Sequence, residues 1–165
     1  MKLILLVCRG GPAHVITSTM STLITAERER IWRALTTPSE LIRWDDQLVA
    51  LLDPVPDYPR LGQQVRWRYR IGSVPIVVHQ TIQEVQPGER LQSTISRGVF
   101  CFDETYTLAD EVEMPDRTRL SLRIVASNST PVVGGSMDRF AIRRLSAELI
   151  DSRLRAVQKW CENHA

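Results

Sequence analysis

Cysteine and histidine are scarce in this sequence, with three residues of each type. Cys8, Cys101 and Cys161 are an odd number at wide spacing, which indicates reduced thiols in a cytoplasmic protein and neither a redox pair nor a metal site. The histidines are isolated from one another, and only His164 lies near a cysteine, so a zinc site is not expected. We therefore expect neither a metal ion nor a cofactor.

An excess of charge of one sign is also lacking. The chain has 21 Lys and Arg against 19 Asp and Glu, a formal net charge of +2. The arginines are spread along the chain, and aromatic residues make up only 6% of it. Nucleic-acid binding usually needs a concentrated basic surface or a platform of aromatic and basic side chains. We therefore expect no nucleic-acid partner.

Long apolar runs are absent as well. No segment approaches the ~20 apolar residues that span a bilayer, so stable membrane insertion is not expected. Residues 2–8 briefly look like a signal peptide, but the run is too short and residues 9–12 end it. We expect residues 1–14 to be a flexible extension, or a start assigned too early, that can be deleted without loss of stability. Residues 15–165 are then a single domain.

Two short helices are predicted after a first strand at residues 15–25. The first helix ends near Thr36, and a second begins at once at Thr37, with Pro38 at its first helical position. Thr37 and Glu40 have the spacing of a capping box. Two acidic residues, Asp45 and Asp46, are expected to end this second helix.

Alternating strands dominate the middle of the chain. Residues 65–71 alternate between apolar side chains and arginines, which predicts a half-buried antiparallel strand. A β-bulge near Gln83 and Glu84 explains why Val85 breaks the alternation of its strand. The other predicted strands, separated by turns and by a proline-rich loop, cover residues 48–52, 74–85, 100–108 and 120–126.

A long amphipathic helix is predicted from about Ser136 to Cys161. At ~1.5 Å per residue it is roughly 39 Å long, enough to cross a sheet. We expect its apolar arc to face the sheet, and the arc holds Ile142, Leu145, Leu149, Ile150, Leu154, Val157 and Trp160. Helices segregated from an antiparallel sheet define an α+β fold. One helix covers a curved sheet incompletely, so a pocket is expected between them.

Three segments resemble a known family. Residues 21–35, with Glu29-Arg30-Ile31-Trp32-Arg33-Ala34-Leu35, run into Thr36-Thr37-Pro38-Ser39-Glu40-Leu41-Ile42-Arg43-Trp44. Val85-Gln86-Pro87-Gly88-Glu89-Arg90-Leu91 is similar to the family's turn between two middle strands. Over residues 20–163 the chain resembles the START-like or SRPBCC superfamily, in its polyketide cyclase/dehydrase-like branch. The glycine that often precedes the family's later Thr is absent before Thr118.

The resemblance implies a helix-grip fold, in which a curved antiparallel sheet wraps on a long C-terminal helix. It does not settle function, because the family uses this fold for lipid transport, hormone binding, ring cyclisation and chaperone stimulation.

Glu104 is the most informative polar residue. It shares a strand face with Phe102 and Tyr106, so it is expected to point towards the apolar side, where an unpaired carboxylate is costly. The alternative is a strand-end Glu that faces water. Arg153 lies within the apolar arc of the last helix and either pairs with Glu104 or extends along the sheet edge to solvent.

Further candidate ligand-binding residues come from the same faces. Trp67, Tyr69 and Phe102 are expected to line a cavity, and Tyr69 and Tyr106 to offer hydroxyl groups inside it. The remaining polar candidates are Gln80, Asn128 and Ser146. His79 is expected on the solvated face in a structural role.

Three functions stay open. The leading one is binding of a small hydrophobic ligand, lipid or polyketide-like, in an internal cavity. The second is a polyketide cyclase or dehydratase that uses acid–base residues there, although the sequence has no nucleophile elbow, phosphate loop or dinucleotide motif and no catalytic residue is assigned. The third is a chaperone-interaction module, which a filled core would favour. A monomer or a homodimer is expected.

Overall fold

The computed structural model describes residues 14–53, 55–98, 100–128 and 135–164. One antiparallel sheet and three helices make up this part of the chain. In chain order the elements are β1 (His14–Ile24), α1 (Arg28–Thr36), α2 (Pro38–Trp44), β2 (Leu48–Leu51), β3 (Gln64–Ile71), β4 (Val74–Gln86), β5 (Arg90–Arg97), β6 (Phe100–Asp110), β7 (Thr118–Asn128) and α3 (Gly135–Asn163). Pro54 and all of the expected extension except His14 lie outside the described residues.

The sheet has seven strands in the order β1-β7-β6-β5-β4-β3-β2. It is curved and open, with the long helix α3 against it, so the expected helix-grip α+β fold is confirmed. The expected bulge is present, because the register of β4 against β5 shifts between Ile82 and Glu84. Our prediction omitted β5 as a separate strand. Its alternation is hidden because a serine, Ser93, occupies a buried position between Leu91 and Ile95.

The two short helices meet at Thr37, as expected, and Pro38 is in the first turn of α2. The predicted capping box is wrong, because the Thr37 side chain makes no capping hydrogen bond. The Glu40 carboxylate is engaged elsewhere. It accepts hydrogen bonds from Arg30 Nη1 at 2.7 Å, Arg33 Nε at 3.1 Å and Trp160 Nε1 at 2.9 Å, so it ties α1 and α2 to the end of α3.

Helix α3 packs mainly on β1 and β7 and touches α1 and α2 near its end. Its buried stripe is narrower than the predicted arc and passes through Ser146, Ile150, Val157 and Cys161. Leu145, which we expected in the core, is 65% exposed because it lies roughly 130° from the centre of this stripe at 100° per residue. Among the helices that the structure describes, none is both long and apolar enough to cross a membrane.

The concave face of the sheet carries two apolar clusters instead of one continuous core. The first joins α1 and α3 to the sheet around Ile31, Leu122 and Ile150. The second lies around Val65 and Trp67 and is covered by α2 and by side chains from residues 51–58. The functional candidates lie where these two clusters meet.

Candidate functional site

A small cavity lies between the sheet and the helices, at the meeting point of the two apolar clusters. Its volume is about 30 Å³, room for one or two water molecules, and it is partly open to solvent. It is lined by side chains of both clusters and by polar groups: Leu35, Leu41, Trp44, Asp45, Leu48, Tyr58, Trp67, Tyr69, Gln80, Leu91, Glu104, Tyr106 and Arg153. We expected an enclosed cavity, whereas this one is partly open to solvent.

Strand alternation places Glu104 on the concave face. It lies between Phe102 and Tyr106 along β6, and its neighbours across the sheet are Ser93 and Ile124. Only 5% of Glu104 is exposed, so the alternative of a solvent-facing carboxylate is wrong.

Arg153 reaches Glu104 from α3. Its Nη1 donates to Glu104 Oε2 at 2.5 Å, and its Nη2 donates to the Tyr69 hydroxyl at 3.1 Å. Asp45 Oδ2 lies 3.7 Å from Arg153 Nη2, which is an ion pair without a hydrogen bond. The Arg153 side chain is 11% exposed, so the alternative of an arginine that extends to solvent is wrong. Arg153 lies at the edge of the buried stripe of α3, next to Ser146 on the helix wheel, and its long side chain reaches inwards from there.

Gln80 connects this ion pair to the aromatic wall. Its Oε1 accepts hydrogen bonds from Trp67 Nε1 at 2.7 Å and from the Tyr58 hydroxyl at 3.0 Å. Its Nε2 donates to Ser93 Oγ at 3.0 Å, and Ser93 Oγ donates to Glu104 Oε1 at 3.2 Å. The result is a continuous buried chain of hydrogen bonds across β3, β4, β5 and β6.

Arg153, Tyr69 and Tyr106 have shifted pKa values in the cavity. Burial alone would lower the pKa of Arg153, but the charges of Glu104 and Asp45 outweigh burial and raise it well above its usual value. Burial raises the pKa of Tyr69 and Tyr106 far above the usual 10. The guanidinium therefore stays charged and these phenols stay protonated at neutral pH.

Tyr106 differs from the other cavity tyrosines. It is 5% exposed and lines the cavity, yet its hydroxyl has no hydrogen-bond partner in the described part of the chain. By contrast, the Tyr58 hydroxyl donates to Gln80, and the Tyr69 hydroxyl accepts from Arg153. Tyr106 thus presents an open hydrogen-bonding group to the cavity.

Some predicted residues are not part of this arrangement. Phe102 packs against both apolar clusters without lining the cavity, and buried Ser146 lies on α3 away from it. The side chain of Asn128 lies outside what the structure describes. His79 is exposed on the convex face, as expected. Within the described ranges, no group of three or more His, Cys, Asp or Glu could hold a metal ion.

Three residues of this arrangement were not predicted from the sequence, namely Asp45, Tyr58 and Ser93. Asp45 follows α2 and was predicted only to end that helix. Its Oδ1 accepts a hydrogen bond from the Gln47 N–H at 3.1 Å, and its Oδ2 lies 3.7 Å from Arg153 Nη2. Tyr58 lies in the proline-rich segment, where no periodicity assigns a face. Ser93 belongs to the strand that was not predicted.

Known proteins share the sequence pattern and the fold of this chain. The sequence profile of the family described as polyketide cyclase/dehydrase and lipid transport matches residues 15–162. No curated protein is significantly similar to the chain in sequence.

Solved structures share the fold at low sequence identity. A START superfamily protein from Mycobacterium smegmatis is 14% identical, with a TM-score of 0.71 over 90% of this chain and 99% of that one. The di-domain ARO/CYC StfQ from the steffimycin biosynthetic pathway is 11% identical, with a TM-score of 0.73 over 90% of this chain and 51% of that one. A protein from Thermus thermophilus is 16% identical, with a TM-score of 0.69 over 91% of this chain and 99% of that one.

The likenesses to solved structures show the fold, and the profile match covers most of the sequence. The chain therefore belongs to the polyketide cyclase/dehydrase and lipid transport family.

Proposed function

We propose that this protein binds a small, mostly apolar ligand whose polar end enters the cavity beside Glu104 and Arg153. The observation that carries the proposal is the buried ion pair at the cavity wall, 2.5 Å between Arg153 Nη1 and Glu104 Oε2. A buried ion pair is often no more stabilising than apolar residues of the same volume, so stability alone does not account for it. A fixed polar group within an apolar surround is the usual form of a ligand site.

The size of the cavity defines what enters it. A volume of about 30 Å³ admits a hydroxyl or carbonyl group and not a whole lipid. The apolar body of the ligand then lies towards the opening, against Leu41, Leu48 and Tyr58, which line the cavity from α2, β2 and the proline-rich segment. Because Leu41 and Tyr58 are only partly buried, these side chains can move to admit a larger group.

A neutral apolar dye tests this proposal. Nile red should bind native protein at one site, and Leu41→Phe, which narrows the cavity, should weaken binding roughly tenfold. The matched control is Leu145→Phe, because Leu145 is exposed on α3 and outside the cavity. Equal effects of the two variants, or no saturable dye binding, would contradict the cavity as the site.

Acid–base catalysis is a second candidate, and the observation that favours it is a carboxylate and phenol hydroxyls in one cavity. Glu104, Tyr69 and Tyr106 are groups that exchange protons with a bound substrate. The minimal reaction is removal of a proton from the carbon between two ketone groups, the step from which a cyclisation begins. Wild-type protein should then accelerate deuterium exchange at that carbon of a 1,3-diketone in D₂O, and Glu104→Gln should not. Exchange at the uncatalysed rate with saturating protein would contradict acid–base catalysis, and ligand binding would then be the only one of these two functions left.

The chaperone-interaction reading is the weakest of the three, since a filled core would favour it and the core here holds a cavity. A cytoplasmic location, a monomer or homodimer and the lack of a nucleic-acid partner stay predictions.

A further inference from the structure

The cavity has more buried carboxylates than cations. Its charged lining groups are Asp45, Glu104 and Arg153, so two carboxylates share one guanidinium. Arg153 already donates to Glu104 and Tyr69 and lies 3.7 Å from Asp45. Among the residues that the structure describes, no second cation lines the cavity. With ordinary charges at neutral pH the cavity carries an excess of one negative charge.

Two polar groups of the cavity are open. The Tyr106 hydroxyl has no hydrogen-bond partner in the described part of the chain, and Tyr106 is 5% exposed. Asp45 Oδ2 also accepts no hydrogen bond from a described residue, because Arg153 Nη2 is too distant at 3.7 Å. One open group is a neutral phenol and the other a carboxylate oxygen, so the cavity offers both a hydrogen-bond donor and an acceptor to a small neutral group.

From this charge balance we infer that the cavity takes the neutral hydroxyl or carbonyl end of an apolar ligand and rejects a carboxylate end. The inference rests on the proposed binding function and specifies its ligand class. A ligand hydroxyl can accept from Tyr106 and donate to Asp45, whereas a ligand carbonyl accepts from Tyr106 alone. A ligand carboxylate would lose its hydration, meet the excess negative charge and find no uncommitted cation. Fatty acids are therefore excluded in favour of alcohols, phenols and ketones.

Three probes with the same bicyclic ring test this inference. They are 2-naphthol, 2-acetylnaphthalene and 2-naphthoate, and quenching of tryptophan fluorescence measures their binding, since Trp44 and Trp67 line the cavity. At pH 7 we expect 2-naphthol and 2-acetylnaphthalene to bind at least roughly tenfold more tightly than 2-naphthoate. Tyr106→Phe should weaken both neutral probes roughly tenfold and leave the melting temperature unchanged, because it removes a hydroxyl without a protein partner.

Removal of one negative charge from the cavity should strengthen the binding of the carboxylate probe. Glu104→Gln should strengthen 2-naphthoate binding roughly tenfold relative to 2-naphthol. Asp45→Asn makes the same change in charge without breaking the 2.5 Å pair, and serves if Glu104→Gln folds poorly. The reference probe for this variant is 2-acetylnaphthalene, because its carbonyl accepts from Tyr106 and does not donate to Asp45. Glu148→Gln, in an exposed pair with Arg144, is the matched control and should leave the ratio unchanged.

The outcomes separate the two proposals. If 2-naphthoate binds wild-type protein as tightly as 2-naphthol, the inferred ligand class is wrong while the binding function stands. The same holds if neither charge-removing variant changes the ratio. If neither Nile red nor any of the three probes binds, the proposed binding function is wrong, and so is the inferred ligand class.

Discussion

Arg153 connects α3 to two buried acids, Glu104 on β6 and Asp45 directly after α2. The Arg153 and Glu104 side chains are 11% and 7% exposed, so removal of either leaves a charge in the interior without its principal partner. The cost of an unpaired buried charge exceeds the value of the pair itself.

Arg153→Met should therefore lower the free energy of unfolding by about 3–5 kcal/mol, measured by urea denaturation. The double variant Arg153→Met with Glu104→Leu should recover most of that loss, because it removes both charges. The control is Arg155→Met on the same helix, which breaks an exposed pair with Asp151 and should cost less than about 1 kcal/mol. A double variant as unstable as Arg153→Met would mean that packing, and not charge, dominates at this position.

Glu40 is the second decisive residue. Burial alone would raise the pKa of Glu40, but hydrogen bonds from Trp160 and Arg30 and the charges of Arg30 and Arg33 outweigh it and lower the pKa below the usual 4.5. A folded-state pKa below the unfolded value means that the stabilisation is present above about pH 4.5 and is lost as the pH falls through the folded value.

Glu40→Gln should cost roughly 1–3 kcal/mol at pH 7, because charge-assisted hydrogen bonds become neutral. The difference in stability between wild type and Glu40→Gln should shrink as the pH falls below about 4.5, in denaturation curves at several pH values. A difference that is constant over this range would show that Glu40 gains no stability from its charge.

At the scale of elements, regular patterns account for most of the fold. Alternation located β3, β4, β6 and β7, and the apolar periodicity with Pro38 located α1, α2 and α3. β5 was not predicted because its buried Ser93 is polar. The Ser93 side chain can be buried because it forms hydrogen bonds with Gln80 and Glu104 on the neighbouring strands. A pattern of apolar and polar letters does not reveal a polar residue that is satisfied by tertiary contacts.

Helix α3 gives a direct comparison between a buried and an exposed apolar residue. Ile150 is fully buried and Leu145 is 65% exposed, although sequence placed both on the apolar arc. Ile150→Ala should lower the free energy of unfolding by ~2–5 kcal/mol, since it leaves a cavity, and Leu145→Ala should change it by less than ~0.5 kcal/mol. Equal losses in urea denaturation would mean that α3 rotates about its axis relative to the arrangement described.

At the scale of the whole molecule, the site forms where two apolar clusters meet. Glu104, Gln80 and Arg153 were predictable, because strand and helix periodicity assign each of them a face. Asp45 and Tyr58 were not, because one follows a helix end and the other lies in a proline-rich segment. The conformation of both segments depends on packing against the finished sheet, which local sequence does not encode.

Two indole N–H groups report on binding in the cavity beside the Glu104–Arg153 pair, and a third lies outside it. Trp67 Nε1 donates to Gln80 and Trp44 Nε1 to Ala34, and both side chains line the cavity. Trp160 Nε1 donates to Glu40, outside the cavity.

The most direct measurement is a titration of ¹⁵N-labelled protein with 2-naphthol, followed by the indole signals in two-dimensional NMR spectra. Saturable shifts of the Trp67 and Trp44 signals with one common affinity are expected, while the Trp160 signal stays in place. Shifts confined to Trp160, or no saturable shift of Trp67 and Trp44, would show that this cavity is not the binding site.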